Sequence, residues 1–158
     1  MSNTQSMCTS FMGELLTATH NFGTAPIRAA TTADSFKGAL YLTSATINAA
    51  TTVYSVTGEV TGTNYTAGGV SVTNATAPTA TNSSATAGVA YWTPSASITY
   101  TNVTLSTAFD TVLIYNSTQS NKAVSVHTFG SQTITAGTFT LTMPSNTTST
   151  ALLRLATT

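Results

Sequence analysis

The chain has 158 residues, enough to bury the core of one domain and too few for two ordinary ones. Charged residues make up 5% of it and the formal net charge is zero, whereas an average soluble domain is roughly 25% charged. Arg28, Lys37, Lys122 and Arg154 are scattered, which excludes the basic patch that nucleic-acid binding needs to neutralise phosphates. Threonine takes the place of the ions at about a quarter of the residues. Its β-branch and hydroxyl suit the solvent face of a strand, so the expected surface is a coat of neutral hydroxyls. No run approaches the ~18 consecutive apolar residues of a spanning helix, so no membrane partner is expected.

Residues 1–9 are polar and read as a flexible arm without the basic and apolar regions of a signal peptide. The single cysteine, Cys8, has no intrachain partner, which fits synthesis in a reducing compartment. From Ser10 the sequence SFMGELLTATHNFG places Phe11, Leu15 and Phe22, with Met12 and Leu16, near helical spacing. Ser10 can cap the start, Glu14 sits in the favourable early turns and Gly23 can stop it, so one short N-terminal helix is predicted.

Everything after Pro26 reads as strand. Phe36, Gly38, Leu40 and Leu42 alternate with Lys37, Ala39 and Tyr41, and Val70 and Val72 flank Ser71. Ile98 and Tyr100 share one face, but Val103 and Leu105 are in the opposite phase, which predicts a bulge or bend at Thr101–Asn102. Val112 to Tyr115 is continuously apolar, as in a central strand covered on both faces. Val124 and Val126 alternate with Ser125 and His127. Phe139, Leu141 and Met143 alternate with Thr138, Thr140 and Thr142, which predicts a buried Leu141, and Leu153 and Leu155 close the chain.

Turns are expected at Thr57-Gly58, Gly68-Gly69, Asn116 to Asn121 and Ala136-Gly137. Residues 73–88 have low complexity and no large apolar side chain, and read as either a mobile loop or a segment ordered only by a partner. The expected architecture is a mainly β domain over 10–158, an antiparallel β-sandwich or jelly roll with one short N-terminal helix.

Few titratable groups are available for chemistry. The acids Glu14, Asp34, Glu59 and Asp110 are far apart in sequence and read as caps and turns, not as a catalytic pair. His20 is expected near a helix end, facing solvent or a final carbonyl, and His127 on the polar phase of its strand. Neither has the spacing of a metal-ligand set. Cys8 has no nearby cation to lower its pKa. Gly-rich GTNYTAGG at 62–69 lacks the lysine and helix of a P-loop and the spacing of a dinucleotide site, so it reads as a turn. Tyr41, Tyr54, Tyr65, Tyr91, Trp92 and Tyr100 could line a carbohydrate platform, but such residues more often pack cores and edges. Six Asn-x-Ser/Thr triplets, at Asn64, Asn74, Asn82, Asn102, Asn116 and Asn146, arise by chance in so Thr-rich a chain. The expectation is no enzyme, no catalytic residue, no cofactor and no metal.

Three stretches carry a resemblance. The helix SFMGELLTATHNF, the stretch SFKGALYLTSATINAATTVYSVTGEVTGTNYTAGG and the stretch VLIYNSTQSNKAVSVHTFG resemble a family of small tailed-bacteriophage virion proteins. The pattern is an FK-x-ALY strand (Phe36, Lys37, Ala39, Leu40, Tyr41), then an EV-x-G-x-x-Y-x-AGG loop (Glu59, Val60, Gly62, Tyr65, Ala67, Gly68, Gly69). An LIYN…SN-x-AV hairpin follows, over Leu113, Ile114, Tyr115, Asn116, Ser120, Asn121, Ala123 and Val124. Asn64 departs from the pattern where Gly is expected, and 73–97 has no counterpart. The resemblance implies a virion structural protein made in the host cytoplasm. The reading it supports is a capsid decoration (cement) protein on the outer capsid surface, bound to the major capsid protein and forming a homo-oligomer, dimer or trimer. The alternative is a tail or receptor-binding component.

Overall fold

The computed structural model describes residues 3–16, 19–20, 22, 33–73, 77–81 and 88–156. Its elements in chain order are β1 (Ser6–Met7), α1 (Thr9–Leu16), β2 (Phe36–Leu42), β3 (Val70–Val72), β4 (Thr79–Ala80) and β5 (Val89–Trp92). Then come β6 (Ile98–Asn116), β7 (Lys122–Leu141) and β8 (Leu153–Ala156). They form two antiparallel sheets, one of five strands in the order β1-β7-β6-β2-β3 and one of three in the order β4-β5-β8. The mainly β, two-sheet expectation is what is found.

The long β6–β7 hairpin is the frame, and the apolar run read from the sequence is its centre. Residues 111–116 of β6 are all buried, flanked by β2 on one side and β7 on the other. Val112, Leu113 and Ile114 have no solvent exposure; full burial of such side chains contributes roughly 1.5–3 kcal/mol each. The small sheet joins this core through Trp92, whose ring meets Phe36 of β2 and Phe22 at centroid distances of 6.1 and 4.7 Å.

Local chemistry explains the irregularities. The predicted slip lies between Tyr100 and Val103, where Asn102 takes a φ of 52° and β6 gains a residue on β7. Asn64 has a φ of 60°, a left-handed conformation that Gly takes freely and Asn tolerates. The hairpin turn over 117–121 uses left-handed Ser120 and Asn121, and the Asn116 carboxamide oxygen accepts from the backbone N–H of Thr118 and Gln119.

Four expectations need correction. Ala136-Gly137 does not reverse the chain. Ile134 faces Leu105 and Gly137 faces Val103, so β7 spends three residues against two and Ala136, at φ 46°, sits in a bulge. Leu141 is half-buried, because beyond Phe129 the hairpin is covered on one side only. Residues 3–8 do not extend as an arm: Ser6 and Met7 pair with Val126 and Ser125, and Cys8 is fully buried. The predicted helix to Gly23 ends at Leu16, and Thr19, His20 and Phe22 lie outside it. Within 73–88, Thr79 and Ala80 pair with Tyr91 and Ala90, while 74–76 and 82–87 lie outside the described residues.

Candidate functional site

Glu59 is the acceptor around which one polar cluster is built. It is 6% exposed and pairs with Tyr41 of β2 as an isolated bridge. Its carboxylate accepts from the hydroxyls of Tyr54 at 2.6 Å and Tyr65 at 2.7 Å, and from the Gly68 N–H at 2.8 Å. Tyr65 Oη in turn accepts from the Leu40 N–H, so one phenol ties the carboxylate to the outer edge of β2. Tyr115 donates to the Gly68 carbonyl, Tyr100 to the Gly38 carbonyl and Tyr41 to the Ser55 carbonyl. Burial, with the Glu59 charge added, pushes the Tyr115 phenol up to about 12, and burial also raises Tyr41, Tyr54, Tyr65 and Tyr100. All five remain donors at any ordinary pH.

The glycines of the loop are fixed by contact. A Cβ on Gly69, whose φ is 70°, would lie 1.7 Å from the Gly38 carbonyl oxygen, and one on Gly62 would lie 2.0 Å from that of Thr104. The loop is thus seated directly on β2 and β6. The GTNYTAGG turn reading holds, with Gly68 and Gly69 at positive φ.

A second polar cluster joins the N-terminal segment to the hairpin turn. Lys122 Nζ lies 2.5 Å from Glu14 Oε1, and His20 Nε2 lies 2.7 Å from Glu14 Oε2. His20 Nδ1 is 3.0 Å from Asn116 Nδ2, which also donates to Asp34 at 2.8 Å; Gln119 donates to the other Asp34 oxygen. A carboxylate can only accept and an amide NH₂ can only donate, so both contacts are satisfied by neutral His20 carrying its proton on Nε2. Burial pushes His20 below its ordinary pKa, against the pull of Glu14. Burial would raise Glu14, but hydrogen bonds from Lys122 and His20 hold it below its ordinary value.

The residues considered for chemistry therefore have definite places. Glu59 and Asp34 are buried organisers rather than surface caps, and His20 is a buried link rather than a solvent-facing end. Asp110 accepts from Asn3 and Thr111. His127 bonds Ser125 Oγ, and burial pushes its pKa down to about 4. Cys8 is pushed up to about 11 by burial, then by the Glu14 charge, which makes it a poor nucleophile. The six aromatics considered as a platform are divided: Tyr41 and Tyr100 are buried, Tyr54 and Tyr65 face Glu59, and Tyr91 and Trp92 belong to the small sheet. Among the described residues no three His, Cys, Asp or Glu side chains are grouped to hold a metal ion, and no helix is long and apolar enough to cross a membrane.

Neither cluster was legible in the sequence beforehand. Glu59 and its donors lie 5 to 9 residues apart, a spacing with no periodic signature, and Glu14 meets Lys122 across 108 residues. The stretch EVTGTNYTAGG holds Glu59, Tyr65 and Gly68 together in sequence but does not announce their contact. Both clusters spend their polar groups on one another, and what they do chemically is lock loops to the sheet. An apolar groove lies between α1 and the small sheet, lined by Phe11, Leu15, Phe22, Trp92 and Leu153. Comparison with known proteins finds no matching family model, no similar curated protein and no matching solved structure.

Proposed function

We propose that this chain is a non-enzymatic structural component of a tailed-phage particle, a capsid decoration protein that binds the major capsid protein on the outer face of the shell. One observation carries the reading: the second and third of the stretches that bear the resemblance pack into a single unit. The FK-x-ALY strand pairs with the LIYN strand from Phe36–Asn116 to Leu42–Phe109, and the EV-x-G-x-x-Y-x-AGG loop is bonded onto both through Glu59, Tyr65 and Tyr115. The resemblance thus lies in the residues that build the fold. The surface around that unit is neutral and Thr-rich, and attachment would rest on shape, backbone hydrogen bonding and apolar contact. Many weak contacts repeated by symmetry stabilise a shell by mass action.

The test is densitometry of purified particles of the virus that encodes the chain. A copy number close to that of the major capsid protein is expected, together with rebinding to stripped shells that varies little between low and high salt. A copy number that is a small fraction of the capsid protein's replaces decoration with a tail or receptor-binding part. Absence from particles ends the virion reading.

A further inference from the structure

The outer half of β7 is a sheet edge of unusual openness. Among the described residues β7 has β6 along one side, but on the other only β1, at Ser125 and Val126. From Phe129 to Leu141 its outer backbone groups meet no described strand. Natural edges are commonly blunted by Lys, Pro or inward-pointing charge. Here there is no Lys, Arg, Asp or Glu from Ala123 to Leu153, and no Pro before Pro144. Apart from the bulge at Ala136, this long edge carries none of the usual protection, and such an edge is a template for another strand.

The sequence of that edge specifies which strand. Residues 133–140 read T-I-T-A-G-T-F-T, a palindrome of residue classes centred between Ala136 and Gly137. Folded back on an identical copy, Thr133 meets Thr140, Ile134 meets Phe139 and Thr135 meets Thr138. Thr–Thr and aromatic–β-branched cross-strand pairs are both favourable. The bulge at Ala136 makes the faces agree. It restores the phase so that Ile134 and Phe139 are both half-buried toward the core, while Thr133, Thr135, Thr138 and Thr140 are all exposed. A two-fold interface must be complementary to itself, and an antiparallel palindrome meets that condition.

We propose that two copies of this chain join edge to edge through β7, antiparallel about a two-fold axis between Ala136 and Gly137, so that the five-stranded sheet continues from one copy into the other. Two short arms, 133–135 and 138–140, make the pairing on either side of the bulge. The opposite edge of the sheet is β3, only three residues long, so the assembly closes as a dimer instead of growing. The neutral edge brings no like charges together, whereas a charged partner strand would face rows of uncharged hydroxyls. This inference names the surface that joins copies, goes beyond decoration of a shell, and is tested on the isolated chain without capsids.

The test is sedimentation of the purified protein and of two charged variants, Thr135→Lys/Thr138→Lys and Thr135→Glu/Thr138→Glu. The wild type sediments as a dimer with the 133–140 amides protected from hydrogen exchange. In this register each variant places two like-charged pairs across its own interface, and dimerisation weakens about tenfold or more. Mixing the two variants places Lys opposite Glu and restores a mixed dimer, which separates edge repulsion from damage to the fold. A monomeric or trimeric wild type, variants that dimerise as well as wild type, or a mixture that stays monomeric overturns the proposal.

Discussion

Removing the Glu59 carboxylate probes whether the loop is held by its charge. The group accepts three hydrogen bonds: Oε1 from Tyr65 and Gly68, Oε2 from Tyr54. Hydrogen bonds to a charged group contribute about 1.5–3 kcal/mol and neutral ones about 0.5–1.5. In Glu59→Gln the remaining oxygen can keep Tyr65 and Gly68 as neutral bonds, and the new amide can donate to a rotated Tyr54 hydroxyl. The loss is then the charge assistance alone, about 1–3 kcal/mol. Glu59→Ala strands the Gly68 N–H and the Tyr65 hydroxyl in a buried site and opens a void, so about 3–5 kcal/mol is expected. Urea unfolding followed by the fluorescence of Trp92, the single tryptophan, gives both values. A Glu59→Ala loss below about 1 kcal/mol, or equal losses for Ala and Gln, refutes the reasoning. Tyr65→Phe combined with Glu59→Gln should be less damaging than the two single losses added, because Tyr65→Phe removes a bond that Glu59→Gln has already weakened.

Ile114→Ala, at a site with no solvent exposure, should cost about 2–5 kcal/mol, whereas half-buried Leu141→Ala should cost about 1–2. Urea midpoints that fall equally for the two would place Leu141 in the core after all. Stability should also fall as pH is lowered from 7 toward 4. His20 and His127 have folded pKa values below their ordinary ones, so the unfolded chain takes up protons first. Their contribution is complete above the unfolded histidine pKa of ~6.5 and is lost as pH falls through the folded values, about 4 for His127. Glu14, also lowered, acts with the same sign below its unfolded pKa. His127→Gln should flatten the slope of urea midpoint against pH, and a wild-type midpoint that is constant or rises over that range rejects the assignment.

What could be read from the sequence was whatever has a period or a local steric cause. The apolar run at Val112 to Tyr115 predicted a doubly covered strand, and the phase slip after Tyr100 predicted a bulge, because side-chain alternation is strict over a few residues. The same logic misplaced Ala136-Gly137. A small residue followed by Gly favours a hairpin reversal and a one-residue bulge alike, and only pairing with distant Val103 and Leu105 decides between them. Residues 3–8 were unreadable for a related reason. Ser6 and Met7 pair with β7 over two residues only, too short a stretch to show a period, although Met7 also packs on the core. The polar clusters are further out of reach, since Asn116 contacts Asp34 and His20 across 82 and 96 residues.

The four carboxylates of this chain are bonded within it. Glu59 and Asp34 are buried, Glu14 is tied to Lys122 and His20, and Asp110 accepts from Asn3 and Thr111. A buried carboxylate with complete hydrogen bonding specifies one arrangement of its loops, since every alternative leaves donors unpaired. The exterior is dominated by Thr, which interacts without long-range preference. Such a surface cannot steer a partner from a distance, so encounter rates should be those of neutral proteins, on the order of 10⁵–10⁶ M⁻¹s⁻¹. Affinity must then come from slow dissociation, through backbone pairing and shape. A protein bound once would gain little from that arrangement. In the proposed role, many copies on a symmetric shell, joined in pairs along β7, would gain it at every contact, because release requires several weak interfaces to open together.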